Sequence, residues 1–299
     1  TCPLKTLYDT SYASFMTRAD FWVAAANAVI RETSVGRTSL DLPFRWGRTD
    51  SDDCPDSSAR LPEASGCSDV EGVFLDRMGL SWTDAVALMG AHTLGRGDAN
   101  FSGHAGTWVQ SDERSTVFDK GFYTELRDRA WRPRTNSVGT DWTWGGNNRG
   151  VMMLNTDICL AFEIPDGDSQ DCCTNNNVGC RGGTNVSTQC PSSEEVRPEA
   201  FQAIVNIVAG GRNDNDEFYQ KFTIAWQKAT EIGQDSLNDL VDTCEGTRQP
   251  SPVPPPSTSS PPVSSPTPDC EDKDSFKDKR GRRRDCAWVL QKDKCGRKE

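Results

Sequence analysis

His92 is the side chain in this sequence best suited to chemistry. It follows an apolar run, residues 85–91, so its ring should be largely buried, and a buried neutral imidazole needs a partner for each nitrogen. A metal centre could occupy one nitrogen while a buried carboxylate holds the other. Taken alone, a histidine at the end of a packed helix is more often a structural residue with two ordinary hydrogen-bond partners.

Helical patterns dominate the segments that would position this histidine. Residues 17–30 open with a Thr cap, carry an Asp three positions later and continue with apolar side chains at helical spacing. The same capping pattern at residues 81–84 precedes the apolar run 85–91. Further amphipathic helices fit residues 198–209 and 214–232. Strand-type alternation is scarce, which predicts a mainly α body with long loops.

Composition divides the chain into a main domain, a linker and a tail. The Pro- and Ser-rich residues 247–269 cannot bury a core and are predicted to form an extended linker. Residues 1–246 form the main domain, within which the Cys-, Asn- and Gly-rich residues 163–198 are interpreted as a disulfide-pinned surface insertion. Residues 270–299 form a short basic tail, too small to fold without cross-links.

Twelve cysteines accompany only two histidines, which favours disulfides over zinc sites and a compartment less reducing than the cytosol. Glycosylation sequons that begin at Asn100 and Asn185 are compatible with secretion. Nine cysteines precede residue 249 and three follow it, so each part holds an odd number. We therefore expect some disulfide partners, and the original start of the chain, to lie outside the printed sequence.

Charge and hydropathy exclude two classes of function. The formal net charge is −11, and because residues 270–299 are net basic, the preceding body is more acidic still. An acidic body repels phosphate backbones, which makes nucleic acid an unsuitable partner. No apolar stretch approaches the roughly 18 residues that a membrane-spanning helix needs.

Several motifs resemble, in the same order, those of the plant, fungal and bacterial haem peroxidase superfamily. Residues 84–96 resemble the signature around that family's proximal histidine, which here is His92. The other matching segments are residues 17–30, 42–50, 60–64, 118–123, 152–157 and 218–226, so that roughly residues 8–162 and 198–240 are covered. The resemblance implies a mainly α haem peroxidase domain in which His92 is the axial ligand of the iron in haem b.

Two further positions match the intracellular-type branch of this family. Trp108 lies sixteen residues after His92, at the position of the branch's proximal tryptophan, and Asp157 matches its buried aspartate. The resemblance implies that Asp157 accepts a hydrogen bond from His92, which makes the imidazole a stronger electron donor and lowers the reduction potential of the iron. Trp108 could then hold a radical cation stabilised by the carboxylate. Plain core packing of Trp108 and helix capping by Asp157 remain alternatives.

The resemblance also implies a set of haem contacts around these three residues. They come from the segment that precedes the signature, the signature itself, the loop that follows it and the strand before Asp157. The implied contacts are Pro62, Ala64, Leu88, Met89, Ala91, Gly95, Arg96, Gly97, Ser102 and Leu154.

The sequence departs from the family pattern on the peroxide side. Family members activate peroxide with an Arg and a His, one helix upstream of the segment that matches residues 17–30. Neither is supplied there, and the only other histidine, His104, lies in the loop before Trp108. We therefore expect the chain to be N-terminally incomplete, to hold the iron-binding half of a peroxidase site and, as printed, to turn over peroxide slowly.

Smaller departures concern the donor substrate and ions. Phe101 stands where ascorbate-using members carry an Arg, which argues against ascorbate, and Asp98 replaces a His that often binds a haem propionate. Thr93 and Asp119 match two ligands of a potassium-type cation site. Val109 replaces the Thr expected after the tryptophan, which argues against a bound cation.

The function that the sequence predicts is haem-dependent reduction of hydrogen peroxide with one-electron oxidation of an unidentified donor, in response to oxidative stress. The alternative is a non-catalytic peroxidase-like protein tethered to the cell surface or matrix through the tail, which itself resembles the start of an ShK-toxin-like repeat. A zinc enzyme or hydrolase is weakly supported, because there are two histidines and no nucleophile motif. The expected location is secretory or extracellular, with an organelle as the alternative.

Overall fold

Helices form most of the described chain. The computed structural model describes residues 3–35, 40–53, 60–144, 150–167, 170–174, 188–211 and 213–240, so the predicted linker and tail lie outside it. The α-helices are α1 (Pro3–Leu7), α2 (Arg18–Thr33), α3 (Cys67–Val70), α4 (Trp82–Met89), α5 (Ala99–Ser102), α6 (Gly121–Asp128), α7 (Asn155–Ile158), α8 (Pro198–Ala209) and α9 (Asp216–Glu231). The mainly α prediction is confirmed, and α8 and α9 begin and end within two residues of their predicted bounds.

Tighter and wider turns extend three of these helices. π-helical turns follow α1 at Tyr8–Tyr12 and α3 at Glu71–Arg77, and a 3-10 turn, Gly90–Thr93, continues α4. A separate 3-10 turn spans Arg114–Thr116. The turn after α4 matters most, because it carries His92 beyond the last residue of the α-helix.

The predicted caps of α2 and α4 are both present. Thr17 Oγ1 accepts a hydrogen bond from the Asp20 amide at 3.1 Å. Ser81 Oγ accepts from the Asp84 amide at 3.1 Å, while the Asp84 carboxylate accepts from the Ser81 amide at 3.1 Å. Such reciprocal capping satisfies amide groups that have no partner inside the helix. It fixes the start of α4 and so helps to set the position of the last turn of α4, which leads to His92.

Short strands were not predicted, and one small sheet lies next to the site. β2 (Arg132–Thr135), β3 (Thr140–Thr143) and β4 (Met153–Leu154) form a three-stranded antiparallel sheet. Asp141 in β3 lies opposite Arg134 in β2 and opposite Leu154 in β4. The remaining pairs are β1 (Arg45–Trp46) with β7 (Asn238–Asp239), antiparallel, and β5 (Cys172–Cys173) with β6 (Thr188–Gln189), parallel.

The core lies where α4 packs between α8 and α9. Phe118, Phe122, Phe218 and Phe222 are fully buried there, and the rings of Phe118 and Phe222 meet edge to face with centroids 4.8 Å apart. Each such ring contributes about 1.5–3 kcal/mol through burial. This aromatic layer gives the helix that leads to His92 a rigid support.

Two disulfides between described cysteines join distant or irregular segments. Cys67 is bonded to Cys159 across 92 residues, and Cys172 is bonded to Cys190 across 18; Cys173 is also disulfide-bonded. The prediction of disulfides is thus confirmed. Cys172, Cys173 and Cys190 are buried, whereas Pro165, Asp166 and residues 194–196 of the same segment are exposed, and the surface insertion stays a prediction. Its middle, including Cys180, lies outside the described residues.

The described helices are too short or too polar for a bilayer. None of them combines the length and the apolar character that crossing a membrane requires.

Candidate active site

The buried carboxylate of Asp157 receives three hydrogen bonds. His92 Nδ1 lies 2.8 Å from Asp157 Oδ1, and Trp108 Nε1 donates to Oδ2 at 2.7 Å. The Leu154 amide also donates to Oδ2, at 2.8 Å. Because a carboxylate can only accept when ionised, His92 must carry its proton on Nδ1 in this arrangement. Asp157 therefore acts both as a helix cap and as the residue that orients two rings.

The ring of His92 is held on three sides. Trp108 lies nearly parallel to it, with ring centroids 4.3 Å apart and an interplanar angle of 19°. Phe122 meets the His92 ring edge to face, with ring centroids 5.9 Å apart, and Nδ1 faces Asp157. The His92 side chain is nevertheless 31% exposed, and with Nδ1 bonded to Asp157 the other ring nitrogen is Nε2. The geometry leaves this one nitrogen available to a ligand.

Helix α7 places Asp157 by means of hydrogen bonds from its first residue. Asn155 Nδ2 donates to the carbonyl oxygens of Ser65 at 3.0 Å and of Gly167 at 2.8 Å. Asn155 Oδ1 accepts from Trp142 Nε1 at 2.7 Å. Asn155 thus joins three separate segments at the start of α7. This role could not be predicted from the sequence, because Asn is common in turns and loops generally.

The end of α7 is fixed covalently. Cys159 lies two residues after Asp157, and its disulfide reaches Cys67 at the start of α3. Pro62 and Ala64 lie just before α3 in the chain, and both are partly buried. The disulfide and the Asn155 bond to Ser65 therefore bring this segment, implied by the motif comparison to contact haem, next to the helix of Asp157.

A glycine-rich loop, residues 95–106, connects the turn of His92 to Trp108. Gly97 and Gly106 exchange backbone hydrogen bonds of 2.7 and 3.3 Å, which close the loop at its base. A Cβ atom on Gly97 would lie 2.9 Å from the His104 carbonyl oxygen and 2.6 Å from Met152 Cε, so the close approach requires glycine. Ser102 Oγ donates to carbonyl oxygens of Asp98 and His104, which folds the loop onto itself.

The remaining implied contacts divide into buried and exposed residues. Met89 is buried and Leu88 and Leu154 are partly buried, whereas Ala91, Gly95, Arg96 and Ser102 are exposed. Leu61, beside Pro62, is an exposed apolar side chain at 75%. These exposed residues of the signature and the loop thus lie within ten residues of His92 in the chain.

A second histidine and a second carboxylate meet outside the predicted site. His104 Nδ1 lies 2.5 Å from Asp141 Oδ1, and Arg134 Nη2 donates to Asp141 Oδ2 at 3.2 Å. Asp141 is buried in β3. This pair could not be predicted from the sequence, because Asp141 stands in a strand that no pattern indicates.

The two side chains matched to a cation site contact each other. Thr93 Oγ1 donates to Asp119 Oδ1 at 3.2 Å. Asp119 Oδ1 also accepts from the Gly121 amide at 2.7 Å. Arg114 Nη2 lies 3.8 Å from the other carboxylate oxygen of Asp119. Asp119 therefore already has partners of positive or donor character.

Two ionisable groups on or beside α4 have shifted pKa values. Burial by itself raises the pKa of Asp84, but hydrogen bonds from Lys228 and Ser81 outweigh it, and the pKa is lowered overall. Burial raises the pKa of Tyr123 well above its ordinary value, and its protonated hydroxyl donates to the Val86 carbonyl at 2.8 Å. Both groups hold α4 against its neighbours in defined protonation states.

The site fits a cofactor that brings its own equatorial ligands. His92 offers a single imidazole nitrogen, with the other nitrogen fixed by a carboxylate, as is typical of an axial haem ligand. Within the described ranges, no group of three or more His, Cys, Asp or Glu side chains could hold a metal ion by itself. One protein nitrogen beside an exposed, partly apolar surface suits a flat macrocycle.

Comparisons with known proteins point to one family. A family model described as Peroxidase matches residues 2–164. A mitochondrial cytochrome c peroxidase of Emericella nidulans is 35% identical over 149 residues, 49% of this chain and 38% of the relative. One of Cryptococcus neoformans is 32% identical over 218 residues, 72% and 45% of the two chains. The cytosolic L-ascorbate peroxidase 2 of Oryza sativa subsp. japonica is 38% identical over 109 residues, 36% and 40%. The chain spans less than half the length of each of these relatives.

Proposed function

Because the chain belongs to the peroxidase family, we propose that it is a haem-dependent enzyme that reduces hydrogen peroxide and oxidises a donor in one-electron steps. Two electrons and two protons convert each hydrogen peroxide to two waters, so two donor molecules are oxidised per cycle. The observation that carries the proposal is the bonding of His92 and Trp108 to the buried carboxylate of Asp157. Haem b, when bound, supplies the iron that reacts with peroxide.

In this proposal His92 Nε2 is the protein ligand of the iron. Asp157 keeps the proton on Nδ1 and draws it toward the carboxylate, which gives the ring partial imidazolate character and makes Nε2 a stronger electron donor. The negative charge of Asp157 lies in a fully buried position, where charge interactions are less screened than in water. Asp157 therefore favours the more oxidised states of the site.

Trp108 is proposed to pass electrons between the donor and the iron. Its ring lies parallel to His92, and its N–H points at Asp157. A positive charge on the indole after loss of one electron would be stabilised by the carboxylate 2.7 Å away. An electron from the donor then restores the neutral ring. Catalytic roles are accordingly proposed for Asp157 and Trp108, and the metal-binding role for His92.

The proposed cofactor surface combines several segments of the chain with His92. Segment 60–64, the end of α4 and the loop 95–106 supply it, and Leu154 contributes from β4. Its members are the residues named by the motif comparison, namely Pro62, Ala64, Leu88, Met89, Ala91, Gly95, Arg96, Gly97, Ser102 and Leu154. Support comes from their placement next to His92 in the chain or through the bonds of Asn155 and Asp157.

The proposed donor is unidentified, and one position argues against ascorbate. Phe101, at the position where ascorbate-using members carry an Arg, is 92% exposed and offers no charge to an anionic donor. The donors named for the relatives are cytochrome c and L-ascorbate. A response to oxidative stress follows from consumption of peroxide.

The proposed location is a compartment that permits disulfides. The buried bonds of Cys67, Cys159, Cys172 and Cys190 would not persist in a reducing cytosol, which supports a secretory, extracellular or organellar location. Two of the relatives reported above are named mitochondrial, which supports the organellar alternative.

The proposal is tested with the 299-residue chain reconstituted with haem. We expect peroxide-dependent oxidation of a one-electron donor dye at a rate above that of the His92→Ala variant treated in the same way. Failure of the wild-type chain to bind haem would contradict the proposal. Equal rates for the two proteins would contradict the assignment of His92, since the oxidation would then not depend on the proposed ligand.

A further inference from the structure

His104 and Asp141 form a second histidine–carboxylate pair that the proposed chemistry does not use. Their side chains are 12% and 2% exposed, and Nδ1 and Oδ1 are 2.5 Å apart. Since an ionised carboxylate can only accept, His104 donates from Nδ1. A hydrogen bond to a charged, buried acceptor is about twice as strong as a neutral one. The pair is thus strong enough to hold a loop in place.

The loop that carries His104 is the one that carries several proposed cofactor contacts. Loop 95–106 contains Arg96, Gly97 and Ser102, and it leads directly into Trp108. Its backbone is closed at the base between Gly97 and Gly106. Such a closed loop keeps its local shape but can still swing about its base. A side-chain bond from within the loop to another element would stop that movement.

Asp141 supplies a rigid point for this bond. It lies in β3, directly opposite Leu154 in β4, and Leu154 donates its amide to Asp157. The next residue in β3, Trp142, is fully buried and donates to Asn155 at the start of α7. The strand that receives His104 is therefore bonded to the helix that carries Asp157.

We propose that His104 is a positioning residue: its bond to Asp141 holds loop 95–106 in the conformation that presents Arg96, Gly97 and Ser102 to the cofactor. The inference rests on the proposed function for the identity of the ligand. The hold on the loop itself is a property of the chain alone. His104 acts through the loop and does not touch the reacting atoms.

Arg134 offers an internal comparison. It also bonds to Asp141, at 3.2 Å, but it lies in β2 and its side chain is 38% exposed. Removal of Arg134 leaves the His104 bond in place and should leave the loop fixed. Removal of His104 leaves Arg134 on Asp141 but frees the loop. The two single variants therefore separate an effect on the loop from an effect on the charge of Asp141.

The test uses the full chain and three variants. His104→Leu removes the donor, His104→Asn restores an N–H at nearly the position of Nδ1, and Arg134→Met is the matched control. Hydrogen exchange of peptides that cover residues 95–107, measured without haem, reports the loop. Titration of the Soret band with haem reports binding. His104→Leu leaves the Asp141 carboxylate with one hydrogen-bond partner fewer. If His104→Leu fails to fold for that reason alone, the double variant His104→Leu/Asp141→Asn, which removes the charge as well, takes its place in the test.

We expect exchange in residues 95–107 to rise about tenfold in His104→Leu, the change that loss of one charge-assisted hydrogen bond produces, with α8 and α9 unchanged. The dissociation constant for haem should rise as well, and His104→Asn and Arg134→Met should stay near wild type. Wild-type exchange of the loop in folded His104→Leu would overturn the proposal, as would an equal rise along the whole chain. If the wild type binds no haem, the proposed function fails, and the exchange result still decides the role of His104.

Discussion

The rings of His92 and Trp108 lie 4.3 Å apart at an angle of 19°, and both bond to the same buried carboxylate. This arrangement couples the two rings, because a change of charge on one ring alters its hydrogen bond to Asp157 and thereby the charge that Asp157 presents to the other ring. Two of the three donors to Asp157 thus come from rings with proposed roles, His92 as the metal ligand and Trp108 in electron transfer. The third, the Leu154 amide, fixes the carboxylate to the start of α7.

Asp157→Asn should raise the reduction potential of bound haem. The affinity of the chain for haem, or its peroxidase activity, should fall by about 10- to 100-fold, the usual effect of changing the hydrogen-bond partner of a ligating His. The amide can accept from His92 but carries no charge, and its NH₂ group cannot accept from Trp108. Spectroelectrochemical titration measures the potential. The exposed Asp128→Asn variant removes one negative charge elsewhere and serves as the control. An unchanged potential in Asp157→Asn would contradict the proposed electron donation.

Trp108→Phe should keep an aromatic ring against His92 but remove the N–H to Asp157. We expect haem binding to persist, a tryptophan radical signal after peroxide addition to disappear from the electron paramagnetic resonance spectrum, and stability to fall by about 1–3 kcal/mol. Trp226→Phe is the matched control, because Trp226 Nε1 also donates at 2.7 Å, to Asn27, far along the chain from these residues. Loss of the signal in Trp226→Phe alone would show that Trp108 is not the relay.

The capped helices could be predicted from the sequence because their signals are local. Thr17 with Asp20 and Ser81 with Asp84 lie within one turn of each other, so the pattern and the resulting hydrogen bonds coincide. The candidate site was accessible through motif resemblance, since Asp157 stands 65 residues from His92 and no periodicity joins them.

The sheet and its contacts could not be predicted, because strands of two to four residues are too short for an alternation to be recognised. Asp141 therefore gave no sign that it would meet His104. The disulfide pairing could not be predicted either. Nine cysteines precede the linker, and composition predicts that they are oxidised but not which pairs form. Only the fold brings Cys67 to Cys159.

Removal of the Cys67–Cys159 disulfide should destabilise the chain more than removal of Cys172–Cys190. The first closes a loop of 92 residues and the second one of 18, for which chain entropy gives about 4.5 and about 3 kcal/mol. Urea unfolding of the two double Cys→Ala variants measures both values. The first variant should also bind haem more weakly, because α7 loses its link to the segment before α3. Equal or reversed losses of stability would contradict this order.

The stability of α4 should decrease in acid through Asp84. Its pKa is lower in the folded chain, so folding is favoured by the ionised form. This contribution is complete above the unfolded carboxyl pKa of about 3.9 and is lost as the pH falls through the lower folded value. Urea midpoints between pH 2.5 and 6 should vary less in Asp84→Asn than in the wild type. Lys228→Met should reduce the variation only in part, because Ser81 still bonds to Asp84.

Ligation of haem iron by His92 is the central claim, and the Soret spectrum of ferric haem bound to the 299-residue chain tests it most directly. The sequence holds two histidines, so His92→Ala and His104→Asn assign the ligand between them. We expect a five-coordinate spectrum in the wild type and in His104→Asn, its loss in His92→Ala, and its return when free imidazole is added to His92→Ala. An unchanged spectrum in His92→Ala would contradict the account.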